Sequence, residues 1–281
     1  MESRPHCTPF FLDGHRGRLF AVHHGPSDLA AARAQVLVVL PFNEEMNRCR
    51  SMVTMQARAL ATHGIGTLVV DPYGTGDSEG EHLDARLDLW LDDFQLAADW
   101  LDRQPGGCRA ILGIRFGAIL AVQLQTRRKS PSTLILWQPV SDGKTHLTQF
   151  MRVKIAAQLD RPDLPKETTA TMRAALAAGE PIEVAGYALH PEFTAAMESL
   201  RLDALAPEPG ASVLWLENAS GDPPEIPPAS RTLLQRWPGE GRLLEARGFV
   251  GPAFWQVHER AVAPDFIERG TEWLRRVVLR T

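Results

Sequence analysis

The segment Gly113-Ile114-Arg115-Phe116-Gly117 has the spacing of a covalent catalytic site, but arginine stands at its centre. In the pattern G-x-S-x-G, the central residue is a nucleophile on a sharp turn between a strand and a helix, and the glycines let these elements approach closely. A guanidinium stays protonated and has no lone pair to donate. Arg115 therefore cannot attack a carbonyl carbon, and the segment is predicted to present a positive charge at this turn.

A charge at this position requires an anion, and the sequence offers two sources. Glu44 and Glu45 follow a predicted buried strand whose end borders the turn, so either carboxylate could hold Arg115 in a bidentate ion pair. The alternative is a bound ligand with a carboxylate, a phosphate or a sugar acid, held by Arg115 together with Arg48 or Arg50. The two interpretations are compatible if the glutamate moves aside when a ligand binds.

The elements that must position this turn alternate between strand and helix patterns. A hairpin comes first, because residues 9–12 and 18–22 alternate on a strand period around a turn-rich segment. Continuous apolar runs of strand length follow, separated by residues at helical spacing, at 36–40, 67–71, 109–112, 133–137, 212–216 and 242–246. The pattern predicts an α/β fold with a mostly parallel sheet of about eight strands, the first antiparallel, and helices on both faces.

The alternation stops between residues 143 and 205, which are rich in alanine and show no convincing buried strand. We predict that this segment is a helical cap inserted into a core domain formed by residues 1–142 and 206–281. Insertions above the strand ends of such sheets commonly line a ligand pocket. The cap residues predicted to do so are Phe150, Met151, Tyr187 and Phe193.

The composition excludes several classes of function. The chain has 281 residues, a net charge of −4 and a pI near 6.1, so it lacks the basic field that a nucleic-acid partner requires. Its three cysteines show no C-x-x-C spacing, so neither a disulfide framework nor a metal site is expected, and no cofactor is predicted. No apolar segment has the length of a signal peptide or a membrane span, which predicts a cytoplasmic protein.

A glycine-rich loop supports this interpretation of the turn. Residues 71–80, D-P-Y-G-T-G-D-S-E-G, resemble the D-x-x-G-x-G-x-S-x-G loop that precedes the nucleophile turn in α/β-hydrolases. Residues 40–47, 89–93 and 251–256 resemble a bacterial subfamily of that fold, exosortase A system-associated hydrolase 2. The resemblance implies an α/β-hydrolase fold, a link to exopolysaccharide export and to the sorting of PEP-CTERM proteins, and arginine as the usual residue at the turn.

The resemblance also implies positions for a catalytic triad. Arg115 takes the position of the nucleophile, and Asp222 lies in a loop that resembles the one carrying the triad acid. The histidine is expected just after Gly248, whereas His258 comes several residues later and is more simply a surface or helix-cap residue.

An oxyanion hole is the second element that the fold implies. The backbone N–H of Phe116, together with that of Phe42 or Asn43, would stabilise an anion at the turn. These donors do not depend on a serine, so they would remain after its replacement.

Other nucleophiles are not indicated, since Cys49, Ser51 and Ser78 have no histidine at a recognisable offset. Water activated by Glu45 or Asp222 would avoid a covalent step. Two functions therefore stay open. The first is an atypical hydrolase of ester or thioester bonds that lacks a serine nucleophile. The second is an inactive pseudo-hydrolase that binds an anionic or acyl small molecule or a partner protein.

Overall fold

The computed structural model describes residues 5–130, 132–158, 166–237, 243–257 and 259–279. Its strands are β1 His6–Asp13, β2 Arg18–Gly25, β3 Ala34–Val39, β4 Ile65–Val70, β5 Cys108–Ile114, β6 Thr133–Trp137, β7 Ile182–Val184, β8 Tyr187–Leu189, β9 Val213–Asn218 and β10 Leu244–Phe249. Its helices are α1 Glu44–Ala61, α2 Leu87–Asp102, α3 Phe116–Arg128, α4 Gly143–Ala157, α5 Thr169–Ala177, α6 Pro191–Ser199, α7 Pro228–Leu234 and α8 Pro264–Val278.

Eight strands form one sheet in the order β1-β2-β4-β3-β5-β6-β9-β10. Six neighbouring strands, from β4 to β10, run parallel, which confirms the predicted mostly parallel sheet. The predicted hairpin is also present, but β2 is antiparallel to both of its neighbours. The reversed strand is therefore the second, and the prediction that it is the first was wrong. A hairpin reverses direction between its two strands, so only their pairing partner decides which one runs against the sheet.

Two hydrophobic clusters cover the two faces of the sheet, as the alternation of side chains along a strand requires. Leu37 and Val39 of β3 belong to the cluster that contains α2 and α3, whereas Val36 and Val38 belong to the one that contains α1 and α8. All four side chains are fully buried. Since both faces are covered by helices, the carboxyl ends of the parallel strands form the open edge where a site can assemble.

The cap segment, residues 143–205, lies between β6 and β9 and contains α4, α5 and α6. It also contains the antiparallel hairpin of β7 and β8, so the expectation of a segment without strands was wrong. These strands have only three residues each, which is too short for a periodic pattern to reveal. That residues 143–205 form a separate domain stays a prediction.

A membrane span was not expected from the hydropathy of the sequence. Across the described ranges, no helix combines the length and the apolar character needed to cross a bilayer.

Candidate functional site

The strand-to-helix turn predicted at Arg115 is present between β5 and α3. Arg115 precedes the helix with φ 57° and ψ −119°, a conformation that costs a residue with a side chain about 1–3 kcal/mol. Gly117 lies so close to β3 that a Cβ atom would clash with the carbonyl oxygens of Val39 and Leu40. The sequence thus folds into a nucleophile turn, with arginine at its tip.

Glu45 is the anion that holds Arg115. The Nε atom of Arg115 donates to Oε1 and Oε2 of Glu45 at 3.1 and 3.2 Å, and Nη2 donates to Oε1 at 3.0 Å. The two side chains are only 11% and 16% exposed. Glu44, the other candidate, instead lies 3.7 Å from Arg48 along the same helix. Of the two expected anion sources, the structure therefore contains the internal one.

Two further segments contact the Arg115 guanidinium. Its Nη1 atom donates to the backbone carbonyl of Gln138, which follows β6, at 3.2 Å. The ring of Trp255, in the loop after β10, lies 5.5 Å from the guanidinium carbon and forms a cation–π contact. Arg115 therefore connects residues that follow four parallel strands: β3, β5, β6 and β10.

A buried histidine from the cap segment closes the site. His146 of α4 stacks on Phe116 with ring centroids 6.0 Å apart, and its Nε2 atom lies 3.8 Å from Glu45. Burial, reinforced by the charge of Arg115, lowers the pKa of His146 to about 3. The imidazole is therefore neutral at pH 7, and its contact with Glu45 is not an ion pair.

The environment of Glu45 also disfavours an active thiol nearby. Burial raises the pKa of Glu45, although Arg115 acts against this shift. Cys49 lies one helical turn further along α1, fully buried, and burial together with the charge of Glu45 raises the pKa of its thiol. A thiol that stays protonated is a poor nucleophile, so Cys49 has the properties of a core residue.

Aromatic side chains pack against Phe116, the residue that follows the tip of the turn. Phe42 is 2% exposed and contacts Phe116, Phe150 and Phe193, with ring centroids 5.2–6.1 Å apart. Two of these, Phe150 and Phe193, are cap residues that were expected to line a ligand pocket. Here they pack against Phe42.

The backbone donors of the expected oxyanion hole are free. Within the described part of the chain, the N–H groups of Phe42, Asn43 and Phe116 have no hydrogen-bond partner. Such groups at the start of a helix favour an anion. Their role as an oxyanion hole stays a prediction.

Residues 30–194, more than half of the chain, match the sequence profile of the family Hydrolase_4, described as serine aminopeptidase, S33. The chain belongs to the S33 serine aminopeptidase family. Among curated proteins, none matches this S33 family member in sequence.

Solved structures resemble this S33 family member over nearly its whole length. Est1E from Butyrivibrio proteoclasticus, with ferulic acid bound, has a TM-score of 0.64 at 16% identity, covering 96% of this chain and 98% of its own. The α/β hydrolase GrgF from Penicillium has a TM-score of 0.62 at 17% identity, covering 98% and 99%. An esterase domain from Rhodothermus marinus has a TM-score of 0.58 at 16% identity, covering 97% and 99%. The TM-scores, at identities below 25%, show that this chain has the α/β-hydrolase fold.

Of the remaining triad positions of this S33 family member, the structure describes only that of Asp222. Asp222 lies in an exposed turn after β9, and its side chain forms no hydrogen bond or ion pair with any residue that the structure describes. His258 lies outside the described residues. The loop after β10 instead presents Trp255 to Arg115. The catalytic roles of Asp222 and His258 stay predictions.

The two arginines expected to help bind an anion are both engaged. Arg48 donates from Nη1 to the backbone carbonyl of Gln256 at 3.0 Å and lies near Glu44. Arg50 donates from Nη2 to both carboxylate oxygens of the buried Asp71, at 3.0 and 2.9 Å. Among the described residues, neither guanidinium forms a hydrogen bond or an ion pair with Glu45, so Arg115 is the arginine that binds this carboxylate.

Asn43 lies at a second strained turn in this S33 family member. It precedes α1 with φ 50° and ψ −121°. Its Oδ1 atom lies 2.7 Å from Nε2 of His82, whose Nδ1 atom lies 2.7 Å from the carbonyl of Ala188 in the cap segment. His82, His146, Gln138 and Trp255 were not predicted as site residues, because no motif connects them to the turn.

The described residues of this S33 family member offer no candidate metal site. Over the residues that the structure covers, no group of three or more His, Cys, Asp or Glu side chains is arranged to hold a metal ion.

Proposed function

We propose that this chain is a pseudo-hydrolase, an α/β-hydrolase-fold protein that binds a small molecule or a partner protein and does not carry out serine-based hydrolysis. One observation carries this proposal: the tip of the nucleophile turn is Arg115, whose guanidinium is held by both carboxylate oxygens of Glu45. A guanidinium has no lone pair with which to attack a carbonyl carbon.

The surroundings of the turn support the same function. The aromatic side chains of Phe42, Phe150 and Phe193 pack together beside Phe116, which follows Arg115, and Trp255 contacts Arg115 from the loop where the triad histidine is expected. This packing leaves the turn in an aromatic environment on the cap side. Removing the partner from a buried charge costs about 3–5 kcal/mol, so opening the ion pair for catalysis is unfavourable.

The biological setting rests on the sequence resemblance alone. We propose that the protein acts with the exosortase A system, in the cytoplasm, on the production or sorting of envelope polysaccharide or PEP-CTERM proteins. The supporting features are the segments 40–47, 89–93 and 251–256, together with arginine at the turn. The ligand in that setting would be an acyl-bearing or sugar-bearing molecule.

Activity-based labelling tests the absence of serine catalysis. The purified wild-type protein is incubated with a fluorophosphonate probe, and the hydrolysis of p-nitrophenyl acetate and of a short acyl thioester is measured. We expect neither labelling nor turnover above the buffer rate. Labelling of a serine, or turnover that survives in Glu45→Gln and Arg115→Met, would contradict the proposal, because it would mean a nucleophile elsewhere in the chain.

A second candidate is hydrolysis by water that Glu45 activates. The favouring observation is that burial raises the pKa of Glu45, which makes its carboxylate a better base than an exposed one. Both carboxylate oxygens accept hydrogen bonds from Arg115, which weakens this candidate. It predicts turnover in the wild type that Glu45→Gln abolishes, whereas the pseudo-hydrolase predicts no turnover in either protein.

A further inference from the structure

A second concave site lies on the opposite side of α1 from Arg115. It is a cavity of about 530 Å³ between the start of α1, the glycine-rich loop at 71–80 and β8. Asn43, Met46, Asn47 and Arg50 line it and recur at helical spacing, so they share one face of the helix. Glu45, which holds Arg115, lies on the other face. Helix α1 therefore separates the locked turn from this cavity.

We propose that this cavity binds a neutral, polyhydroxylated small molecule, of which a monosaccharide is the simplest example. The inference rests on the proposed function only in treating the chain as a binding protein, and it uses no residue that contacts Arg115. The cavity volume lies within the range of small-molecule sites, roughly 300–1,000 Å³.

Asn43 supplies a buried polar group that lacks a partner. The residue is 3% exposed and lines the cavity, and its Nδ2 atom has no hydrogen bond to the described residues. Burial lowers the pKa of His82, so its imidazole is neutral, and its Nδ1–H donates to the carbonyl of Ala188. Nε2 then carries a lone pair, which requires the Asn43 amide to turn its NH₂ group toward His82. In either amide orientation, the Asn43 atom that does not face His82 stays unpaired. A ligand hydroxyl can pair with it in both cases, because a hydroxyl donates to an amide oxygen and accepts from an amide nitrogen.

Arg50 supplies fixed donors at the cavity wall. Both of its hydrogen bonds to Asp71 come from Nη2, and its Nε and Nη1 atoms have no partner among the described residues. The backbone N–H of Asp77 also donates to Asp71, at 3.1 Å, which fixes the carboxylate. Gly76 leaves room for this pair, because a Cβ atom there would clash with Asp71. The free N–H groups of Arg50 are therefore held in a defined position, from which they can donate to an acceptor on a ligand.

The charges of the wall favour a neutral ligand over an anion. The positive charge of Arg50 is balanced by the buried Asp71, and the lining adds the exposed carboxylates of Asp77 and Glu81. A carboxylate or phosphate ligand would meet like charges at this rim. A hydroxyl group can donate to the carboxylates and accept from Arg50, so several hydroxyl groups on one ligand suit the wall.

Tyr187 and Asn47 complete the polar lining on the cap side. The Nδ2 atom of Asn47 lies 3.5 Å from the Tyr187 hydroxyl. Burial, together with the charge of Glu44 and a hydrogen bond to it, raises the pKa of Tyr187 to about 12, so the hydroxyl stays neutral, donates to Glu44 and can accept from a ligand. Apolar surface from Leu40, Pro41, Met46 and Pro72 lines the rest of the cavity and suits the C–H faces of a sugar ring.

Ligand-observed NMR tests this proposal on the full-length protein. Saturation transfer and titration are measured with D-glucose, D-galactose and D-mannose as neutral probes and with D-glucuronate as the anionic counterpart. We expect binding of at least one neutral sugar and weaker binding of glucuronate. Asn47→Leu, an exposed position on α1, should weaken the neutral sugar about fivefold, since it removes one polar contact. Asp77→Asn should strengthen glucuronate binding, because it removes a like charge.

Gln235→Leu serves as the matched control, since it removes an exposed amide outside the cavity and should leave binding unchanged. Circular dichroism verifies that each variant is folded. The proposal is overturned if no neutral sugar binds, if glucuronate binds more tightly than glucose, or if Asn47→Leu binds like the wild type. Sugar binding that Arg115→Met abolishes and Asn47→Leu preserves would also overturn it, because the ligand would then be at the turn. Ester turnover alongside intact sugar binding would contradict only the proposed function.

Discussion

Asn43 and Arg115 have nearly the same backbone conformation, with φ 50° and ψ −121° at the first and φ 57° and ψ −119° at the second. Each precedes a helix that follows one of two adjacent parallel strands, β3 and β5. Neither side chain caps its own helix. Arg115 bonds to Glu45 and Asn43 to His82, so both turns are held by contacts between segments that are distant in the chain.

The strain at Asn43 predicts that a glycine variant at this position is more stable than an alanine variant, the reverse of the usual order in a helix. Asn43→Gly should be more stable than Asn43→Ala by about 1–3 kcal/mol, because both lack the amide but only glycine adopts this φ without strain. Urea denaturation gives the two unfolding free energies. Asn47, at an ordinary helical position four residues later, is the control, where glycine should be less stable than alanine by about 1 kcal/mol. Equal stability of the two Asn43 variants would contradict the strain.

Breaking the central ion pair should be costly, whereas removing it entirely should not. Glu45→Gln leaves the buried Arg115 charge without its partner and should lower the free energy of unfolding by about 3–5 kcal/mol. The double variant Glu45→Leu/Arg115→Met replaces both charges with apolar groups and should recover most of that loss. Chemical denaturation of the three proteins measures the difference. A double variant as unstable as Glu45→Gln would mean that the pair stabilises the fold beyond mutual neutralisation.

His146 predicts a loss of stability in acid. Its pKa is about 3 in the folded protein and 6.5 in the unfolded chain, so between these values the unfolded chain binds one more proton. The free energy of unfolding therefore falls as the pH falls from 6.5 toward 3, by about 1.4 kcal/mol per pH unit from this residue. Above pH 6.5 both states are neutral and the contribution is fully present.

His146→Phe keeps an aromatic ring against Phe116 and removes the titration. Denaturation midpoints measured from pH 4 to pH 8 should depend less on pH in this variant than in the wild type. Parallel profiles for the two proteins would mean that folding does not shift the pKa of His146.

Restoring serine at the turn should not restore hydrolysis. In Arg115→Ser the loop after β10 would still present Trp255 to the turn, and Asp222 would still lie in an exposed turn. We expect the rate with p-nitrophenyl acetate to stay at the background of the wild type. A gain of tenfold or more that Arg115→Ser/His258→Ala abolishes would refute this, since His258 must then reach the turn.

The sequence predicts the sheet and the turn well because both depend on local patterns. Buried strands are continuous apolar runs, and the glycines at 113 and 117 mark the close approach of β5 and α3. The choice between Glu44 and Glu45 was not predictable, since it depends on where α1 begins. Asn43 ends the turn, and the helical phase then directs residue 45 toward Arg115 and residue 44 toward Arg48.

Contacts between distant segments explain what the sequence did not reveal. His146 and Trp255 reach the turn from the cap segment and from the loop after β10, and no spacing relates them to Arg115. The cavity beyond α1 was also not predicted, because it forms only when β8 packs beside the glycine-rich loop. Its residues Asn47 and Tyr187 are 140 positions apart in the chain.

Arg115 follows β5 and contacts residues that follow three other strands, β3, β6 and β10, which has a consequence for the lifetime of the folded protein. It joins partners 70 and 23 positions away, and because contacts between distant segments tend to form late, we expect these to form after much of the sheet. Interactions made after the folding barrier slow unfolding and leave the folding rate nearly unchanged. We therefore expect that the contacts of Arg115 at the strand-to-helix turn slow the separation of the strands and lengthen the lifetime of the folded state.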